Sequence, residues 1–206
     1  MTTTPPAGDA HPRRVGAILL AAGAGSRFGG PQHKLTATVR GLALWRGALR
    51  NAAASGLDHV LVVCGAVDLH PGADDETQAT VEVLRADHWA DGQAASLQAG
   101  LRRAEALGWD AAVIGLADQP GIPASAWTAV AGTRPEAPIA IATYDGTRGP
   151  HPVRLHRRMW PLLPTSGDAV ARDLIARHPE WVAEVECVGS PLDIDTLEDL
   201  DRWKSC

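Results

Sequence analysis

Continuous apolar runs alternate along the chain with longer amphipathic stretches. The first run, Val15 to Ala21 (VGAILLA), shows no polar alternation, as expected of a strand buried on both faces. His59 to Cys64 (HVLVVC) and Ala111 to Leu116 (AAVIGL) repeat that pattern, and Pro138 to Ala142 reads as another strand. Val81 to Leu84 reads as a short one. Between them the spacing predicts helices. Leu44 to Ser55 is closed by Gly56, and Pro123 to Ala131 carries Pro near its start. Gln93 to Leu107 places Ala94, Leu97, Leu101, Ala104 and Leu107 at helical intervals, with Gly108 as its stop. The polar stretch Asp68 to Thr80, with Pro and Gly, reads as a loop.

Apolar strands separated by helix-length segments predict βαβ units. The expected fold is of the α/β class: three layers, a mostly parallel sheet, and helices on both faces. Ligands of such sheets sit beyond the carboxyl ends of the strands. The residues with chemical potential obey that demand. A glycine-rich loop follows the first strand, Gly65 follows the second, and Asp118 follows Ala111–Leu116.

Composition narrows the function. The 206 residues fit a single domain over 15–206, preceded by a tail at 1–14 rich in Thr, Pro and small residues and expected to be disordered. A hydrophobic fraction of 45% supports a real core. Net charge is −5 and the nearest thing to a basic run, Arg154 to Arg158, is short and mixed with His, so nucleic acid is not an expected partner. No segment approaches the ~20 apolar residues that span a bilayer, and the start lacks the apolar core of a signal peptide. A cytoplasmic protein is expected. Cys64, Cys187 and Cys206 lack metal or disulfide spacing, and Cys64 reads as a small buried hydrophobe.

The loop itself reads LLAAGAGSRFGGPQHK from Leu19 to Lys34. Glycine lets a backbone approach phosphate closely. Arg27 and Lys34 add positive charge where pyrophosphate would leave a triphosphate, and fixed cations there favour the transition state. A Walker A loop fits less well, because Gly30 precedes Pro31 and Lys34 precedes Leu35. The dinucleotide fingerprint matches only at Gly23 and Gly25, with Phe28 where glycine is required. Downstream, Leu116-Ala117-Asp118-Gln119-Pro120 places a carboxylate directly after a buried strand, and Asp193-Ile194-Asp195-Thr196 supplies more. One carboxylate from each segment could hold Mg²⁺, with substrate phosphates and water completing its shell. The bland alternatives are a turn role for Asp118 and a helix N-cap at Asp195 or Thr196.

The motifs LAAGAGSRF with Lys34, GQAASLQAGL, LADQP, GTRGPHPV, SGDAVAR and DIDTLEDL follow one another in order. Together they resemble the molybdopterin nucleotidyltransferase family, over about residues 15 to 203. The resemblance implies a Rossmann-like nucleotidyltransferase fold. LAAG, with Ala22, is similar to the cytidylyltransferase branch, which implies CTP rather than GTP. It further implies that Ala21, Ala22, Gly23, Gly25, Ser26 and Arg27 cradle the nucleotide phosphates and that Lys34 steadies the α-phosphate. Gly65 is added to this nucleotide set from its place after the second strand. By the same resemblance Asp87, Gly92 and Ser96 contact base or ribose, Asp118 and Asp195 bind Mg²⁺, and Gly149, His151, Pro152, Gly167 and Asp168 face the pterin. Departures from the family pattern fall at Phe28, at the long run from Gly30 to His33, at the inserted Pro150 and at Val170. The implied reaction is transfer of CMP from CTP to molybdopterin, with catalysis resting on Arg27, Lys34 and Asp118 and with transient contact to a molybdenum hydroxylase. Transfer to a sugar phosphate or other phosphorylated acceptor, and a non-catalytic molybdenum cofactor carrier, stand as the alternatives.

Overall fold

A computed structural model describes residues 13–39, 41–72 and 77–205. Its elements are β1 (Val15–Ala21), β2 (Thr38–Val39), β3 (Leu42–Ala43), α1 (Leu44–Ala53), β4 (His59–Cys64), β5 (Thr80–Arg85), α2 (Gln93–Ala106), β6 (Ala111–Leu116), α3 (Ala124–Gly132), β7 (Ile139–Tyr144), β8 (Thr147–His156), α4 (Arg172–Arg177), β9 (Val182–Glu186) and α5 (Leu197–Ser205). Seven strands form one sheet in the order β5-β4-β1-β6-β8-β7-β9. All run parallel except β8, which is antiparallel to both of its neighbours. This is the mostly parallel α/β sheet that the apolar runs require.

Side-chain alternation assigns the two faces. Ala17, Leu19, Val60 and Val62 pack with Trp45 and Leu49 of α1 and Trp127 of α3. Ile18, Leu20, Leu61 and Val63 pack with Leu97 and Leu101 of α2, and the same layer continues to Leu174 of α4. Two glycines inside strands make room for indole rings. A Cβ on Gly16 would lie 2.1 Å from Trp109, and one on Gly115 would lie 2.5 Å from Trp127. These Trp residues are core packing, as their scatter along the chain suggests.

The chain runs outward from β1 to β4 and β5, then returns to place β6 on the other side of β1. That reversal opens a crevice between the carboxyl ends of β1 and β6, the usual ligand position in such sheets. A third, small cluster of Phe28, Ala37, Val39, Leu44, Ile194 and Leu200 lies beside the crevice and joins the glycine-rich loop to α5.

The long β8 was not foreseen. Its residues alternate little and carry Pro150 and Pro152, which argue against a central strand. The turn before it was readable: Asp145-Gly146 is a two-residue hairpin loop with φ of 51° and 72°, the left-handed pair that Asp-Gly favours. The basic run divides, with Arg157 and Arg158 exposed and Arg154 buried. Arg154 is 3% exposed and its guanidinium donates to the carbonyls of Ala131, Thr133, Arg134 and Ala137, pinning the α3–β7 loop. Residues 1–12 of the expected tail lie outside the described residues. Arg14 belongs to the domain, since its N–H donates to Asp110 Oδ2 at 2.9 Å and its carbonyl accepts from Asp110 N–H. Among the described residues no helix is long and apolar enough to cross a membrane.

Candidate active site

The loop after β1 is folded by its own side chains. Gly25 and Gly29 take φ of 61° and 65°, and Phe28 N–H donates to Gly25 O to close a turn. Phe28 stands where a glycine fingerprint would fail, and it is buried as the anchor of the small cluster. His33 closes the run that looked long. Its Nδ1 accepts from Leu35 N–H, which leaves Nε2 to donate to Gly23 O at 2.9 Å. Lys34 is thereby carried to the base of the crevice.

There Lys34 Nζ meets two carboxylates, Asp118 Oδ2 at 2.6 Å and Asp195 Oδ1 at 2.8 Å. Lys34 is only 8% exposed. Burial opposes its charge, but the ion pairs with Asp118 and Asp195 outweigh that and hold its pKa above the ordinary lysine value. Arg27 reaches the other oxygen of Asp195 at 2.9 Å from an exposed position. Asp118 arrives from the end of β6, and its carbonyl accepts from Ile194 N–H, tying the 190s segment beneath it.

The cap of α5 is supplied by Thr196 rather than Asp195. Thr196 Oγ1 accepts from Asp199 N–H at 3.1 Å, and Asp199 Oδ2 accepts from Thr196 N–H at 2.9 Å. That reciprocal pair caps α5 and leaves the Asp195 carboxylate facing Lys34. Gln119 was missed as a site residue. It is 1% exposed and donates to Asp193 Oδ1 and to Pro191 O, which clamps the acidic segment to the end of β6. Burial, reinforced by Asp118, pushes the Asp193 carboxyl above the ordinary range despite the Gln119 hydrogen bond. The only signal for Gln119 in the sequence was its place inside LADQP.

The cleft has a volume of about 660 Å³ and takes in Ala21, Ala22, Gly23, Gly25, Ser26, Arg27, Lys34, Gly92, Ser96, Asp118 and Asp195 together. A Cβ on Gly23 would meet no protein atom within 4 Å, so its missing side chain leaves open cleft. Gly65 stands apart: it is buried, and a Cβ there would strike Trp89 and Ala22 O. It supports the loop from below. Asp87 is exposed in the turn before Trp89 and does not line the cleft, while Trp89 does.

A second cleft, of about 480 Å³ and mostly apolar, adjoins the first at Gln93 and Asp168. Gly149, His151 and Asp168 line it, with Val170 and Ile175 supplying apolar wall. Gly149 must be glycine, because the Tyr144 ring lies 2.5 Å from where its Cβ would be. Pro152 is buried in β8 behind His151. The His151 Nδ1 is buried and has no hydrogen-bond partner, although the residue as a whole is only half-buried. Burial pushes its pKa down to about 4, so it is neutral at pH 7.

The Gly167-Asp168 segment acts first on α2. Gly92, at the N-cap, has no side chain and φ of 107°. Asp168 Oδ1 accepts from Gln93 N–H and Gly167 O from Ala94 N–H, satisfying the helix start from a distant part of the chain. Gly167 faces a smaller neighbouring cavity.

Asp118 and Asp195 also fit a divalent cation. Their oxygens converge on one positive centre, here the Lys34 ammonium, and Asp118 Oδ1 is buried without a partner. Among the described residues no group of three or more His, Cys, Asp or Glu side chains is arranged to hold an ion alone. Two carboxylates with phosphate and water suit a nucleotide-bound divalent cation.

A glycine-rich loop, two cations and paired carboxylates at the switch point of this sheet define a nucleotidyltransferase. The chain belongs to the MobA-like NTP transferase domain family, whose model matches residues 17–182. It is 30% identical to the purine catabolism protein PucB of Bacillus subtilis over 89% of this chain and 93% of that one. It is 29% identical to nicotine blue oxidoreductase of Paenarthrobacter nicotinovorans over 95% and 98%. The crystal structure of Rv0371c from Mycobacterium tuberculosis superposes with a TM-score of 0.73 and 25% identity, covering 94% of this chain and 99% of that one. A further structure of Rv0371c is a complex with manganese.

Proposed function

We propose that the protein is a Mg²⁺-dependent cytidylyltransferase acting on molybdopterin. The observation that carries this reading is the pairing of a charged cleft, built for a triphosphate, with an apolar cleft that meets it at Gln93 and Asp168. A terminal phosphate oxygen of the acceptor attacks the α-phosphorus of CTP. The bond to the α,β-bridging oxygen breaks, and pyrophosphate leaves with that electron pair. The glycine-rich loop from Ala21 to Ser26 receives the phosphates. Arg27 and Lys34 neutralise the charge that grows on the leaving pyrophosphate. Asp118 and Asp195 would hold Mg²⁺, which supplies Lewis-acid stabilisation of the phosphates. Gly92 and Ser96 border the ribose and base. The neutral His151, with Gly149 and Asp168, borders the pterin, while Pro152 and Gly167 support that wall. No covalent intermediate with the enzyme is required, since positioning and electrostatics supply the rate.

CTP is favoured through Ala22 within LAAG. Molybdopterin is favoured by the MobA-like family. Delivery of the product would bring the protein into transient contact with a molybdenum hydroxylase in the cytoplasm. A second reading comes from nicotine blue oxidoreductase, whose name is that of a redox enzyme. Pyrophosphate release separates the two. The chain is incubated with each of CTP, GTP, ATP and UTP, Mg²⁺, and either molybdopterin or a sugar phosphate. Release with CTP and molybdopterin supports the proposal. Release with the sugar phosphate instead would reassign the acceptor, and none with any pair would leave a carrier or a redox enzyme.

A further inference from the structure

We propose that the Lys34 ammonium occupies the divalent-cation position until nucleotide arrives, so that metal and nucleotide enter as one unit. The inference rests on the nucleotide and metal reading above and adds an order of binding to it. Nζ lies 2.6 Å from Asp118 Oδ2 and 2.8 Å from Asp195 Oδ1, and it is the one cation on which both carboxylates converge among the described residues. A divalent ion on the same two oxygens cannot share that point with an ammonium, because like charges at such separations repel strongly in a buried site.

The displaced ammonium then needs somewhere to go. Lys34 is 8% exposed and sits inside the cleft, so a free metal ion would push a buried charge away from both of its partners. Leaving a buried charge unpaired is costly. A triphosphate removes that cost, because it brings new anionic oxygens to the open space beside Gly23 and receives the lysine as the ion takes the carboxylates. Arg27, 75% exposed on its side chain, can leave Asp195 without disturbing any packing. Metal affinity and nucleotide affinity are therefore coupled through one side chain, and the coupling is reciprocal.

The signature is a pair of opposite effects. Removing the charge of Lys34 should tighten metal binding in the absence of nucleotide, although it weakens nucleotide handling. The test titrates the full chain with Mn²⁺ and follows the free ion by electron paramagnetic resonance, with the ion taken up by CTP in a protein-free control subtracted. Wild type should bind Mn²⁺ weakly alone, and CTP should tighten it by about tenfold or more, the scale of a charge-assisted contact exchanged for another. Lys34→Met should bind Mn²⁺ alone about tenfold or more tightly than wild type, with a smaller gain from CTP than wild type shows. Lys34→Arg, which keeps the charge, should stay weak alone. Equal Mn²⁺ affinity of wild type and a folded Lys34→Met without nucleotide would overturn the proposal. Should Lys34→Met fail to fold, wild type decides, since Mn²⁺ binding that is unaffected by CTP would overturn it equally. Loss of all Mn²⁺ binding, with nucleotide present, would overturn this inference and the metal assignment beneath it together.

Discussion

The two clefts that meet at Gln93 and Asp168 are made of opposite materials. The first is a set of charges held by short local segments: a loop after β1, a turn after β6 and a cap before α5. The second is a mostly apolar wall drawn from α2, β6, β7, β8 and α4, with Gln93, Arg148, His151, Asp168 and Arg172 as its polar groups. The charged cleft can recognise any triphosphate by its phosphates. The apolar one offers shape above all, with Arg148 and Arg172 as its cations. On the proposed function, chemistry and acceptor choice reside in different parts of the fold, and changes in one should be separable from changes in the other.

The largest separable effect is expected at Asp195. Asp195→Asn should lower the rate of nucleotidyl transfer on the order of 10²-fold or more, the scale of losing a transition-state charge contact, with the melting temperature nearly unchanged. Its neighbour supplies the control. Thr196→Ala should cost about 1 kcal/mol of stability through the lost cap, with activity largely kept. Steady-state kinetics and thermal melts on the two variants check this. Similar rate losses in both would mean that Asp195 acts only through α5.

His151 sharpens the comparison from the apolar side. Its folded pKa is pushed down to about 4 from an ordinary 6.5. As pH falls, the unfolded chain takes up the proton first. The stability tied to the neutral ring is thus present above about 6.5 and is lost as pH falls towards 4, by roughly 3 kcal/mol at most. His151→Asn should flatten that part of the profile. Urea melts at several pH values between 4 and 7 measure it, and an unchanged slope in the variant would place the titration elsewhere.

A smaller effect than at His151 is expected on the boundary shared by both clefts. A Cβ on Gly92 would lie 2.7 Å from the Gly167 backbone, at φ of 107°. Gly92→Ala should destabilise by about 2 kcal/mol and should raise KM for nucleotide and acceptor together. An effect on nucleotide alone would show that the junction does not couple the clefts.

The same contrast explains what could be read from the sequence. The parallel strands were legible because a strand buried on both faces must be apolar throughout, as Val15–Ala21 and His59–Cys64 are. The charged cleft was legible because its parts follow those strands directly: the loop up to Lys34, then Asp118. The sequence could not decide between cap and ligand at Asp195, since both uses need a carboxylate or hydroxyl before a helix. The Thr196–Asp199 exchange shows that the cap is Thr196. Gly65 and Asp87 were expected to touch nucleotide but do not line the cleft, because the end of β4 packs under the loop and the next turn points outward. The apolar cleft was the hardest to see. Its wall depends on β8, whose two prolines hid a strand that Asp145-Gly146 announced, and on residues such as Val170 and Ile175 that carry no chemical mark.

The central claim is that the Lys34–Asp118–Asp195 group drives nucleotidyl transfer from a triphosphate. Its most direct test is pyrophosphate release from CTP with Mg²⁺ and molybdopterin, measured on wild type and on Asp118→Asn at matched folded concentration. The account predicts stoichiometric release by wild type and a loss on the order of 10²-fold or more in the variant. Equal release by the two proteins would contradict it.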